Sequence, residues 1–230
     1  MTDVENIAPD GDVILVVGAG KKKLRVSSQT LSSTSPVFKA LLGPHFREGE
    51  QARSSQDPVA IELPEDSPMG MRMLCQLFEQ FEFPPRESAP FSTEILEFVI
   101  CADKYDCPKA VRWQAKGMLS ERLCIIQSNH IIDWDAMLAS AYLIQHQEAF
   151  KRASAHIIGT HRYRISDLLN CGCENIVPTK HILFLEEVRT ATKVSHGHYE
   201  SPNLELQGFC LWCVQDPKVK DLHASCSGHY

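Results

Sequence analysis

The chain has 230 residues, a length suited to one large or two small self-sufficient domains, and its 23 Lys plus Arg against 29 Asp plus Glu leave a formal net charge of −6, which argues against bulk binding to a nucleic-acid backbone. Apolar runs such as Val13 to Val17 fall far short of the roughly 20 residues of a bilayer span, and the acidic start MTDVENIAPDGD carries no readable secretory or transit signal. Nine cysteines, odd in number and scattered, are not the dense framework of a secreted scaffold, so a reducing compartment, cytoplasm or nucleus, and no membrane are expected.

The run DVILVV at Asp12 to Val17, a Gly-containing GAGKKK, and LRV at Leu24 to Val26 predict a β-hairpin. Gly18, Gly20 and Lys21 mimic a phosphate loop, but Leu15 and Lys23 stand where glycines are required, and a strand follows where a helix should open. The triple lysine reads as a solvated turn. In SSQTLSSTSPVFKALLG, the apolar positions Leu31, Val37, Phe38, Leu41 and Leu42 predict two short helices broken near Pro36, with Ser35 as N-cap. Residues 43–58 read as a surface loop, VAIEL at Val59 to Leu63 as a strand, and the following segment as a helix burying Met73, Leu74, Leu77 and Phe78. FEFPPRESAPFS is proline-rich and expected to be extended or loop. Thr93 to Tyr105 reads as an apolar helix, and Pro108 opens another through Val111, Trp113, Ala115, Met118 and Leu119. From Ile132 the chain stays helical, with Gly159 and Gly172 as stops, and past Lys193 it turns rich in His, Gly, Cys and Pro.

Strand, turn, strand, helix pair, strand and helices in this order resemble the BTB/POZ fold. The likeness rests on Asp12-Val13 at the first strand, on Val26, Leu31, Ser35, Pro36, Val37, Phe38, Leu41 and Leu42 in the family's helix-pair register, and on ADKYDC at Ala102 to Cys107. The resemblance implies an α+β class, a small sheet capped by helical hairpins over residues 10–122, after a flexible N-terminus at 1–9. A helical extension over 123–192, placed like those that follow some BTB domains, and a Cys/His-containing tail over 193–230 complete the expected organisation. Leu31, Phe38, Leu41 and Tyr105 are expected in the core. The family's cullin contact is a hydrophobic-x-Glu triplet after the helix pair, and Phe46-Arg47-Glu48 stands at that place, so these three residues are the candidate partner-binding site.

There are departures from the family pattern. Ser27 and Ser28 replace the usual His and the basic residue of repressor-type members, leaving Asp12 without that pocket partner. About eleven residues precede the first strand, too few for the strand and helix that many BTB dimers exchange. FEFPPRESAPFS replaces the usual Tyr-Thr-Gly ending, as in divergent fungal members.

Cys171 with Cys173 in the extension and Cys210 with Cys213 in the tail are closely spaced thiol pairs that can together hold a tetrahedral structural zinc; a second set takes Cys210, Cys213, His223 and Cys226. Free thiols are the competing account. His130, His146, His156 and His161 read as surface or satisfied core histidines. No hydrolase elbow, metalloprotease helix or protease cysteine signature is present, and the pairs Asp133 and Asp135 or Glu186 and Glu187 read as a solvated helix face, so no catalysis is expected. The basic residues Lys151, Arg152, Arg162 and Arg164 are too few, on an acidic chain, for a DNA-binding factor. The expected function is therefore a non-catalytic interaction module, a substrate adaptor for a cullin-type ubiquitin ligase, with a self-associating scaffold or transcription-linked regulator as the alternative.

Overall fold

A computed structural model describes residues 4–46, 51–80, 90–126, 131–159, 175–196 and 210–215. The architecture is mixed α+β, and the chain divides into two compact units, Met1–Pro90 with Glu94–Ala115 and Phe91–Thr93 with Lys116–Tyr230.

The first unit holds a four-stranded sheet of β1 (Val4–Asn6), β2 (Val13–Val17), β3 (Lys22–Val26) and β4 (Val59–Leu63) in the order β1-β3-β2-β4. Strands β2 and β3 form the expected antiparallel hairpin, with Val13 opposite Val26 and Val17 opposite Lys22, while β4 runs parallel to β2. As a central strand, β2 buries Val13, Leu15, Val16 and Val17, which explains why it reads as an unbroken apolar run. Gly18, at φ +70°, and Lys21, at φ 50°, make the turn. Lys22 and Lys23 are not part of it. They begin β3, and Lys22 pairs with Glu5 at 3.0 Å.

Residues 4–6 depart from the flexible N-terminus expected over 1–9. They form β1, parallel to β3, with Val4 opposite Lys23. Three residues are too few for alternation to announce a strand, and what ties it down lies elsewhere: the Glu5 carboxylate takes both Lys22 and Arg72. Burial alone would raise the Glu5 pKa, but these two partners outweigh it and hold the carboxyl below its ordinary value.

Asp12 is likewise partnered despite lacking a nearby histidine. It accepts the Ser28 N–H at 2.8 Å and the Ser28 hydroxyl at 2.7 Å, anchoring the start of helix α1 (Ser28–Thr34). Its pKa is pushed up by burial but more strongly down by these bonds, with a net lowering. The Ser27 hydroxyl caps α1, accepting the Thr30 N–H, and its own N–H reaches Glu79 at 2.9 Å. Ser35 then starts α2 (Pro36–Leu41), with Pro36 in the first turn, as expected.

Helix α3 (Pro68–Gln80) buries Met71, Met73, Leu74 and Phe78, and it approaches α4 (Ser92–Lys104) so closely at Gly70 that a Cβ there would strike the Glu97 carbonyl. Ser67 spans the same junction, donating to Glu97 at 2.6 Å. Helix α5 (Pro108–Ile125) buries Val111, Ala115, Met118 and Leu119. Trp113, expected on that apolar face, is instead 84% exposed. Two residues beyond Val111 is about 200° around a helix, which carries it to the opposite side. The division between units falls inside α5, between Ala115 and Lys116, seven residues before the expected boundary at 122.

The second unit is helical among the described residues: α6 (Ile131–Ile144), α7 (Gln147–Gly159), α8 (Thr179–His196) and α9 (Leu211–Gln215). Every described residue of α6 from Trp134 to Ala141 is buried, so this helix is covered on all sides. That coverage overturns the solvated face expected for Asp133 and Asp135: Asp135 is buried, and Asp133 faces Arg122 at 3.4 Å. Gln145, at φ 58°, turns the chain, and the His146 ring caps α7 by accepting the Ala149 N–H at 3.3 Å. Helix α7 buries Ala149, Phe150, Ala153 and Ile157 at helical spacing and stops at Gly159 as expected. The expected Cys/His tail contributes regular structure too. Helix α8 runs on to His196, and α9 buries Leu211 and Val214 while Gln147 accepts the Leu211 N–H at 2.9 Å.

Candidate partner-docking site

The first unit carries a groove of about 600 Å³ beside α2. Its construction begins at Ser35, which is buried and accepts the Phe38 N–H at 3.1 Å while donating to the Tyr105 carbonyl at 2.6 Å. One hydroxyl thereby starts the helix and ties it to the end of α4, seventy residues away. Phe38 and Leu42, four residues apart, face the core. Phe38 stacks on Tyr105 with ring centroids 4.1 Å apart and planes 6° from parallel.

The neighbouring face of the same short helix lines the groove through Pro36, Val37, Ala40 and Leu41. Val37 and Ala40 are exposed and Leu41 half-buried, so Leu41 is a wall residue and not the core residue expected. A six-residue helix with apolar side chains on both faces leaves one set without an internal partner. Leu63 and Pro64 add further apolar lining.

The remaining edge is polar and held rigidly. Asp66 is buried, and its carboxylate accepts the Tyr105 hydroxyl and the Lys104 ammonium, each at 2.8 Å. Burial first, then the bond and charge of Asp66, push the Tyr105 phenol well above its ordinary pKa, so it stays a donor. Lys104 also lies 5.8 Å from the Tyr105 ring centroid. Asp106 follows at φ 51°, a left-handed turn that Asp tolerates better than most residues.

Phe46, the expected anchor, lines this groove and is 48% exposed. It is not withdrawn into its own core. The turn leading to it is set by the Gly43 N–H bonding to Ala40 and the Phe46 N–H bonding to Gly43. Arg47 and Glu48, the other two residues of the triplet, lie outside the described residues.

No known protein-family model and no curated protein sequence matches this chain.

Cys171 and Cys173 lie outside the described residues, as does the side chain of Cys213, and so do His223 and Cys226 of the second zinc set. Cys210 is buried at the start of α9. Among the described residues no group of three metal-ligating side chains comes together. Cys107 is a core thiol that donates to the Ala102 carbonyl at 3.2 Å, and burial pushes its pKa up to about 12. Burial does the same to Cys101, also to about 12. Both remain protonated and unreactive near neutral pH. His156 stacks on Trp134 at 4.0 Å, and His146 meets the Ser120 hydroxyl at 3.1 Å. His130, His161, Arg162 and Arg164 lie outside the described residues. No described helix is long and apolar enough to cross a membrane.

Sequence reasoning missed Asp66, Lys104 and the groove-facing side of α2. Val37, Ala40 and Leu41 stand at i, i+3 and i+4, a spacing separate from that of Phe38 and Leu42. Plotting the helix as two stripes would have exposed the second face. Nothing local marks Asp66, whose partners are 38 and 39 positions away.

Proposed function

We propose that the first unit is a BTB/POZ-type interaction module that docks a protein partner in the α2 groove with Phe46 as anchor, and that a cullin scaffold of a ubiquitin ligase is that partner. The observation that carries this reading is the pairing of a half-exposed Phe46 with an apolar groove walled by Val37, Leu41, Leu63 and Pro64. An aromatic side chain beside a preformed concavity is the composition of an interface anchor, since burying both on binding removes apolar surface from water without reorganising the chain. The hairpin, the capped helix pair and β4, in the register of Asp12, Ser35 and Phe38, support the family assignment. The module supplies proximity and no chemistry of its own.

Affinity capture with quantitative mass spectrometry, comparing wild type with Phe46→Asp at matched expression and confirmed folding, tests the reading. Cullin enriched by wild type and lost with the variant is the expected result. Absence of cullin with both proteins would overturn the ligase role and leave a self-associating scaffold as the better account.

A further inference from the structure

Among the described residues, four acidic side chains line the α2 groove, Glu62, Glu65, Asp66 and Asp106, against one cation, Lys104. The Asp66 charge is already met, by the Lys104 ammonium and the Tyr105 hydroxyl at 2.8 Å each. The same contact occupies Lys104. Glu62, Glu65 and Asp106 are exposed and have no ion-pair partner among the described residues. Among the described residues, the groove is thus an apolar surface rimmed by three negative charges without an ion-pair partner.

We propose that the occupant of this groove is a segment of a protein partner in which a bulky apolar side chain is flanked by lysine or arginine. The inference rests on the docking role proposed for the groove and adds the chemistry of what docks. The apolar residue covers Phe46, Val37 and Leu41, while its basic flanks meet Glu62, Glu65 and Asp106. Each exposed pair adds little affinity by itself. Their joint effect is selection: a cationic segment is drawn in, and an acidic segment of equal hydrophobicity is refused by like-charge repulsion. The Asp66 contact serves this arrangement by holding Lys104 against the wall, where it does not offset the rim.

The test uses the full chain and a displayed library of random short peptides, selected in parallel on wild type, on Phe46→Asp, and on Glu62→Gln/Glu65→Gln/Asp106→Asn. Asn tolerates the backbone conformation at position 106, and the three sites are exposed, so the triple variant keeps the fold, as checked by circular dichroism. The strongest peptide from wild type is then remade with its Lys and Arg changed to Gln and titrated by fluorescence polarisation at low and high salt. Enrichment of Lys or Arg around an apolar residue is expected, with binding about tenfold weaker on neutralising either the peptide or the rim, and weaker at high salt. Apolar peptides that depend on Phe46 but bind the triple variant equally and ignore salt would overturn the inference while leaving the groove as a docking site. Peptides that fail to distinguish wild type from Phe46→Asp would overturn both.

Discussion

The two units differ in the kinds of polar group they bury. In the first, buried or half-buried polar groups meet partners far away in the chain: Ser35 with Tyr105, Asp66 with Tyr105 and Lys104, Glu5 with Arg72, and Ser67 with Glu97. In the second, histidines carry much of the burden, His156 by stacking on Trp134, His146 by capping α7, and His181 in a tilted ring contact with Tyr142. A hydrogen-bonded carboxylate or hydroxyl fixes geometry over a wide pH range. A buried imidazole fixes it only while neutral. The unit that carries the groove is built from the first kind of contact, which suits a preformed docking surface.

The strongest way to break the contrast is at Phe38. Phe38→Ala removes the ring stacked on Tyr105 and leaves a cavity in the core, with an expected cost of about 3–5 kcal/mol in the first unit. Denaturant unfolding followed by site-resolved hydrogen exchange checks it, and a cost under about 1 kcal/mol would mean that the stack does not organise α2.

A smaller effect is expected from Asp66→Ala, which orphans the Tyr105 hydroxyl and frees Lys104. The expected loss is about 1–3 kcal/mol, and adding Tyr105→Phe should restore part of it because the unpaired donor is then gone. Purely additive losses in that double-mutant cycle would refute the coupling.

Acid separates the units without mutation. His146, His156 and His181 have pKa values lowered below the ordinary 6.5, in each case by burial first. Their unfolded forms therefore take up protons before the folded forms do, and stability present above about pH 6.5 is lost as the pH falls below it. Glu5 and Asp12 are lowered carboxylates, whose contribution persists until the pH drops below their ordinary range near 4. Between about pH 7 and 5, exchange protection should fall in α6, α7 and α8 and hold in β2, β3 and α3. The reverse order would contradict the assignment. At alkaline pH the sign inverts for Cys101, Cys107 and Tyr105, whose raised values make the first unit lose stability above about pH 9.

The smallest expected change in stability is at the proposed anchor. Phe46 is about half exposed, so Phe46→Asp should shift the unfolding free energy by no more than about 0.5 kcal/mol while abolishing partner binding. Equal losses of stability and binding would make Phe46 a structural residue.

Much of this was visible along the chain. The hairpin around Gly18, the Ser35-Pro36 break, β4, and the helices after Pro68 and Pro108 are local matters, decided by caps, turns and apolar period within a few residues. Phe46 was legible as a candidate through its place in the triplet that the BTB/POZ resemblance implies. The groove around it was not, since its walls come from residues 36–41, 62–66 and 104–106. Strand β1 was hidden for the same reason: its alternation is too short, and its anchors are Lys22 and Arg72. Trp113 illustrates the converse, a large apolar side chain that helical phase sends outward despite its hydrophobicity.

The sequence by itself determined where most strands and helices lie and which residues cap them, because those choices are made by neighbours within one or two turns of chain. The tertiary structure alone decided that Leu41 lines a wall while Phe38 fills the core, that Asp66 grips Tyr105 and Lys104, and that Asp135 is buried. Those outcomes depend on which surfaces meet after folding, and pairings tens of residues apart leave no period or motif in the chain that forms them.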